Sequence, residues 1–218
     1  MITVSEVAEE LISKQPFLEE AISKGIINYS ALARLIKPQI EEKLLKKIET
    51  GAVLMALKRM SLNIKSDNGL KTIISKTPEM IVRSDLVEYT FQSSSVILKK
   101  ISQLLEHIAD DRRYFITFTQ GVFETAIIVS VFWQKKIETM LADEKKLSVM
   151  DKLSSITIKL PDENIQVPGV YYFILKALAW NGINIIDVVS TNNEFSIILD
   201  DREVDRAFTV LKQAFSRN

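Results

Sequence analysis

The sequence predicts an α/β (α+β) protein, in which a helical N-terminal module is followed by two units that mix strands and helices. Two observations predict this architecture. Basic residues are concentrated in 21–76, which holds 11 Lys and Arg against 4 Asp and Glu. From residue 77 onward, the hydrophobic spacing gives the order strand, helix, strand, strand, helix twice in succession. We therefore expect three domains, at residues 1–76, 77–150 and 151–218.

The composition of the chain excludes several kinds of active site. Lys plus Arg and Asp plus Glu number 28 each, and the chain has no Cys and 1 His. A chain without Cys has no disulfide, thiolate metal site or Cys nucleophile, and one His cannot form a site that needs two imidazoles. The 6 Gly residues form no loop that would cradle a phosphate. We therefore expect no enzymatic activity, no cofactor and no metal site.

The hydrophobic segments are too short for a membrane protein. The longest strongly apolar run, 126–133, is less than half of the roughly 20 residues that a membrane-spanning helix needs. The first residues are acidic and lack the basic and apolar regions of a signal peptide. We expect a cytoplasmic protein with no membrane partner.

Residues 1–76 predict helices followed by a two-stranded hairpin. Apolar residues repeat at helical spacing near the N-terminus, and Pro16 and Pro38 are expected to interrupt the helices. A further amphipathic helix is predicted at 51–60. The sequence Asp67-Asn68-Gly69 lies between two short alternating runs and predicts a hairpin turn, because Asn and Gly tolerate positive φ. This order is typical of a winged helix-turn-helix-like domain.

The basic side chains of this module predict a nucleic-acid surface. Lys58 and Arg59 lie on the polar side of the predicted helix 51–60, and Lys65 and Lys71 lie in the predicted hairpin. In a winged helix, such residues contact phosphates or base edges. Two alternatives remain open: a solvated polar helix face, and a module that docks protein or mediates dimerisation.

The two following units share the ferredoxin-like order βαββα, which indicates an internal duplication. The second unit ends at its last helix, so the strand that would complete it is either missing or supplied from elsewhere. The predicted elements are strands at 80–91, 114–119, 123–131, 155–160, 184–190 and 194–199, and helices at 94–109, 132–141, 168–180 and 203–215.

Three stretches of the last unit carry a family resemblance. Ile156-Thr-Ile-Lys-Leu-Pro-Asp162 precedes Val167-Pro168-Gly169-Val170, and Ala177-Leu-Ala-Trp-Asn-Gly-Ile-Asn-Ile185 follows. In this order they resemble the ACT domain family, in particular the tandem ACT region at the C-terminus of aspartate kinases. Residues 77–150 match only in element order. The Lys-Phe-Gly-Gly start of the kinase domain is absent, so the resemblance implies a regulatory region without the catalytic domain.

The start of the helix at 168 suits a carboxylate. Pro168 presets φ for a helix, and Gly169 leaves the first backbone N–H groups uncovered, whereas Asp162 and Glu163 carry the opposite charge to an α-amino group. The resemblance implies a free amino acid, with Lys or Thr as candidates, at the junction of two ACT domains. The alternative is a tight turn that binds nothing. The ligand-binding residues that the resemblance implies are Asp162, Gln166, Val167, Pro168, Gly169, Val170 and Asn184.

Two functions follow from these observations. The first is a non-enzymatic, amino-acid-sensing regulatory protein, in which an effector at an ACT interface is coupled to a DNA-binding-type helical module. The alternative is an aspartate-kinase-like regulatory subunit, or an orphan ACT protein, that binds Lys or Thr and a protein partner but not DNA. Because exposed sheet edges usually find a partner, we also expect a homodimer.

Overall fold

The computed structural model describes residues 2–63, 73, 78–108 and 115–216. The chain divides into two compact units, Met1–Asn68 and Gly69–Asn218, which we call the helical unit and the sheet unit. Among the described residues, no helix has the length and apolar character that crossing a membrane requires.

The helical unit is built on a core of apolar side chains from each of its helices. Thr3 and Glu6 form a capping box at the start of the first helix, and Pro16 opens the second. Ion pairs add to the packing, since Lys43 bonds Glu10 at 2.6 Å across two helices. The helices are α1 (Val4–Ser13), α2 (Pro16–Ser23), α3 (Tyr29–Leu44) and α4 (Thr50–Asn63).

Two sequence predictions for this region are wrong. Helix α3 continues through Pro38 to Leu44, because the buried Ile36 and Ile40 hold it in the core on both sides of the proline. Helix α4 runs through Leu62 to Asn63, where the first hairpin strand was predicted. Ile73 is helical although it was assigned to the second strand. The rest of the predicted hairpin lies outside the described residues.

The sheet unit is a six-stranded antiparallel sheet with helices that follow the predicted βαββα order twice. The strand order across the sheet is β2-β3-β1-β4-β6-β5. Its strands are β1 (Met80–Gln92), β2 (Ile116–Gln120), β3 (Glu124–Ser130), β4 (Lys146–Lys159), β5 (Asp187–Ser190) and β6 (Glu194–Asp200). Its helices are α5 (Ser95–Ile108), α6 (Gln134–Met140), α7 (Val170–Trp180) and α8 (Val204–Ser216).

The two longest strands, β1 and β4, join the two halves of this sheet. The start of β1 pairs with the end of β4, with Met80 opposite Ile158. Strand β1 thereby occupies the position beside β4 that a closing strand of the second unit would take. Strand β4 begins at Lys146 and not at 155, so it runs across the expected boundary at 150. Asp85 and Lys152 adopt positive φ where the pairing register shifts, which marks a bulge in each long strand.

Helices cover one face of each half of the sheet. Helices α5 and α6 pack on β1 and β3, and helices α7 and α8 pack on β4 and β6. A further cluster lies on the opposite face, because its side chains alternate with the helix-facing ones along each strand. It consists of Leu86, Ile128, Leu153 and Ile198.

Candidate functional site

The chain turns sharply between β4 and α7, through a 3-10 helix at Asp162–Gln166. Asn164 is only 5% exposed in this turn. Its Nδ2 donates hydrogen bonds to the carbonyl oxygens of Pro161 and Asn192, each at 2.8 Å. Since Asn192 lies in the turn between β5 and β6, a single side chain fixes the segment before α7 to the neighbouring hairpin.

Helix α7 begins without a capping side chain. Gly169 occupies the N-cap with φ 91°, and no side chain bonds the first turn. Pro168 was expected to open the helix, but α7 begins at Val170, so the proline precedes the cap. Gly169 is required here because residues with a Cβ rarely adopt this positive φ. The N–H groups at the start of α7 carry the positive end of the helix dipole, which attracts an anion such as a carboxylate.

A pocket of about 370 Å³ lies at this helix start. Its size falls at the lower end of the ~300–1000 Å³ that small-molecule sites occupy. The ring of Tyr171 packs on Phe195 with 4.4 Å between centroids, which holds one wall in place. We call this cavity the helix-start pocket. It is lined by Asn164, Ile165, Val167, Gly169, Val170, Tyr171 and Tyr172.

Three of the predicted ligand-binding residues, Val167, Gly169 and Val170, line the pocket. Asp162, Gln166 and Pro168 lie beside it and are exposed without lining it. The Asp162 carboxylate accepts a hydrogen bond from the side-chain amide of Asn193, so it ties the turn to the β5–β6 hairpin.

Asn184 lies farthest from the helix-start pocket. It follows the C-terminal end of α7, and the 11 residues of that helix span about 16 Å. The structure therefore does not bring Asn184 together with the other predicted residues within one chain.

The sequence did not reveal four of the lining residues, which are Asn164, Ile165, Tyr171 and Tyr172. Two signals were available in the sequence. Tyr171 and Tyr172 are adjacent at the start of an apolar helix, so one of the two rings lies at the edge of the pocket. Asn164 lies inside a turn, where an Asn side chain often bonds backbone carbonyl groups. Neither signal distinguishes a pocket from ordinary packing.

The corresponding helix in the other half of the sheet has a closed start. The N–H of Ile97 in α5 donates to Ser94 Oγ at 3.1 Å, and Ser94 Oγ donates to Glu144 at 2.8 Å. A side chain therefore occupies the place that stays open in α7. Of α5 and α7, it is α7 whose N-terminus carries no side-chain cap.

A second, smaller cavity of about 50 Å³ lies between β1 and α6. Tyr89 Oη donates to Glu138 at 2.9 Å, and Lys146 lies 6.0 Å from the Tyr89 ring. Burial raises the pKa of Tyr89, and the same hydrogen bond lowers the pKa of Glu138. The cavity has room for little more than a water molecule. Within the described ranges, no three His, Asp or Glu side chains are grouped as metal ligands would be.

The predicted basic surface is only partly described. Lys58 and Arg59 are exposed on α4, and neither forms an ion pair with another described residue. The apolar Met55 and Leu62 are exposed one turn before and after them. Lys65 and Lys71 lie outside the described residues.

No family model matches this chain, and no curated protein matches it. Several solved structures match this chain. The regulatory subunit of aspartate kinase from Thermus thermophilus, in ligand-free form, has 19% identity and a TM-score of 0.52, and the match covers 64% of this chain and 99% of that subunit. The corresponding subunit from Thermus flavus has 18% identity and a TM-score of 0.51, with the same coverage. Aspartate kinase from Synechocystis has 18% identity and a TM-score of 0.53, over 65% of this chain and 27% of that enzyme.

These matches establish the fold. The chain contains a mixed helix and antiparallel-sheet region with the fold of aspartate kinase regulatory subunits. The sequence resemblance to that regulatory region is therefore confirmed at the level of the fold.

Proposed function

We propose that this protein is a non-enzymatic regulatory protein that binds a free amino acid in the helix-start pocket. The observation that carries the proposal is the uncapped start of α7, which opens into a cavity of about 370 Å³. The backbone N–H groups of the first turn suit an α-carboxylate. The shared fold with aspartate kinase regulatory subunits supports this assignment.

Thermal unfolding in the presence of each common amino acid at millimolar concentration tests the proposal. A ligand present at 100 times its Kd stabilises the folded state by about 2.7 kcal/mol, so its Tm shift is readily measured. We expect at least one amino acid to raise the Tm. The matching amine without the carboxylate is expected to give no shift, because it cannot bond the N–H groups of α7. A complete set of amino acids without any effect would contradict the proposal.

A second candidate activity is DNA binding by the helical unit, coupled to the amino acid. Lys58 and Arg59 on α4 favour it, because both are exposed and neither forms an ion pair with another described residue. The exposed Met55 and Leu62 beside them favour the alternative, a regulatory subunit that contacts a protein partner. Both proposals include a homodimer. Strands β2 and β5 form the two edges of the sheet, and the backbone of an edge strand can pair with a strand of another chain.

An electrophoretic shift assay at low salt distinguishes these alternatives. If α4 contacts phosphates, the Lys58→Ala/Arg59→Ala variant is expected to weaken binding and to reduce the salt slope by about 2. The control is Lys14→Ala/Lys24→Ala, which removes two surface lysines that pair with Glu10 and Glu20 on their own helices. If the native protein does not bind DNA at low ionic strength, the DNA proposal is wrong.

A further inference from the structure

We infer that the amino acid bound in the helix-start pocket has a large, uncharged, apolar side chain, of the aliphatic or aromatic class. This inference rests on the proposed function and concerns the same pocket. It differs from the Lys or Thr that the sequence resemblance implies.

Among the described residues, no charged side chain lines the pocket. Ile165, Val167 and Val170 supply aliphatic surface, and the rings of Tyr171 and Tyr172 supply aromatic surface. Such walls stabilise an apolar side chain by removing its surface from water, whereas a charged side chain would lose hydration without gaining a partner. The lining therefore discriminates against Lys, Arg, Asp and Glu.

The charged groups closest in sequence to the pocket residues do not line it. Asp162 and Glu163 lie in the preceding turn, where both are exposed and outside the lining. The ammonium group of Lys176 lies over two rings of the same helix, 5.3 Å from the centroid of Tyr172 and 4.9 Å from that of Trp180. The described lining therefore offers no carboxylate to a ligand ammonium group beyond the α-amino group.

The polar groups of the pocket match the backbone of an amino acid. The first turn of α7 provides N–H donors for the α-carboxylate. Asn164 uses its Nδ2 for two backbone carbonyls, and none of the described residues donates to its Oδ1. This oxygen is the acceptor for the α-ammonium group. With both charges of the zwitterion satisfied at the helix start, the side chain faces the apolar walls.

The volume favours a large side chain. The pocket of about 370 Å³ accommodates a side chain larger than those of Gly, Ala, Ser or Thr, and a larger apolar side chain removes more apolar surface from water at its walls. Leu, Ile, Met and Phe combine sufficient size with an uncharged side chain. We expect these four to bind most tightly.

Calorimetric titration of the full chain with Leu, Ile, Met, Phe, Lys, Thr and Asp tests this inference. At least one of the four apolar amino acids is expected to bind ten times more tightly than Lys, Thr or Asp. The variant Ile165→Glu places a carboxylate on the rim, where Ile165 is 66% exposed and the fold tolerates a polar side chain. We expect it to weaken binding of the apolar amino acid at least tenfold and to improve binding of Lys.

The matched control is Val122→Glu, which introduces the same charge at a position 86% exposed in the β2–β3 turn of the sheet unit. It is expected to leave all affinities unchanged. If Lys or Thr binds the native protein most tightly and Ile165→Glu alters that affinity, the apolar class is wrong but the proposed function stands. If no amino acid binds, both are wrong. If an apolar amino acid binds equally to native protein and Ile165→Glu, the assignment to this pocket is wrong.

Discussion

Replacing Gly169 with alanine is expected to abolish amino-acid binding and to lower the free energy of unfolding by about 1–2 kcal/mol. Gly169 holds φ 91° at the N-cap of α7, a conformation that an alanine Cβ disfavours. The variant relieves this strain by returning to negative φ, which turns the first N–H groups of α7 away from the helix-start pocket. The ligand-induced Tm shift of Gly169→Ala, compared with that of the native protein, measures the effect.

The control for this experiment lies at the other end of the same helix. Gly182 follows α7 with φ 66°, and a Cβ there would meet only Arg206 Nη2 at 3.7 Å. Gly182→Ala is therefore expected to cost a similar free energy of unfolding while retaining the full response to the ligand. A Gly169→Ala variant that still binds the amino acid with native affinity would show that the N–H groups of α7 do not hold it.

The sequence predicted the helices and strands of the sheet unit because burial on one face imposes a clear periodicity. Along α7, the buried Val170, Ile174 and Leu178 recur at the spacing of a helix. In β6, Phe195 and Ile197 face the helices while the residues between them face the other side. Where one face of an element packs against a core, the local sequence carries most of the information about whether that element is a helix or a strand.

The extension of β4 could not be predicted in the same way. Its first residues, from Lys146 to Lys152, are all exposed, and their alternation of polar and apolar side chains covers only residues 146–149. They become a strand because they pair with β1, which is distant in sequence. Pro38 illustrates a related limit: its local preference ends a helix, but tertiary packing of Ile36 and Ile40 overrides that preference.

The sequence predicted where along the chain the candidate site lies, but not which side chains line it. Pro168 and Gly169 predicted the turn and the helix start, and the resemblance implied a ligand there, which stays a prediction. The side chains that line the pocket depend on how Asn164 joins two turns and how Tyr171 packs on Phe195. These contacts link residues that are 28 and 24 positions apart in the sequence, and periodicity does not report them.

Replacing Glu88 with glutamine is expected to stabilise the folded protein at neutral pH by about 1.4 kcal/mol for each unit by which burial raises the pKa of the Glu88 carboxyl group, because the amide carries no charge. Glu88 is 9% exposed, and its Oε2 has no hydrogen-bond partner among the described residues. It lies opposite Ile128, and Asp187 lies opposite Ile198, and these two isoleucines share one cluster. The two carboxylates therefore flank the same apolar contact.

The pH dependence of unfolding provides the decisive comparison for Glu88. Burial raises the pKa of its carboxyl group above the usual 4.5, and the Asp187 carboxylate raises it further. Because the pKa of Glu88 is higher in the folded state, its protonated carboxyl group favours folding below the ordinary pKa of 4.5. This contribution to stability is lost as the pH rises through the raised pKa of the folded state. Glu88→Gln should therefore remove a loss of stability that the native protein shows above pH 4.5.

Two further variants test the sign and the cause of the change in stability that is expected for Glu88→Gln. Asp187→Asn is expected to stabilise the protein less than Glu88→Gln, because burial is the larger cause of the raised pKa. Glu138→Gln should act in the opposite direction, since the hydrogen bond from Tyr89 lowers the pKa of Glu138 and stabilises the fold above its ordinary pKa. Denaturant unfolding between pH 4 and 8 measures all three. If Glu88→Gln lowers stability at pH 7, the ionised carboxylate holds a favourable contact, and its burial is not a cost.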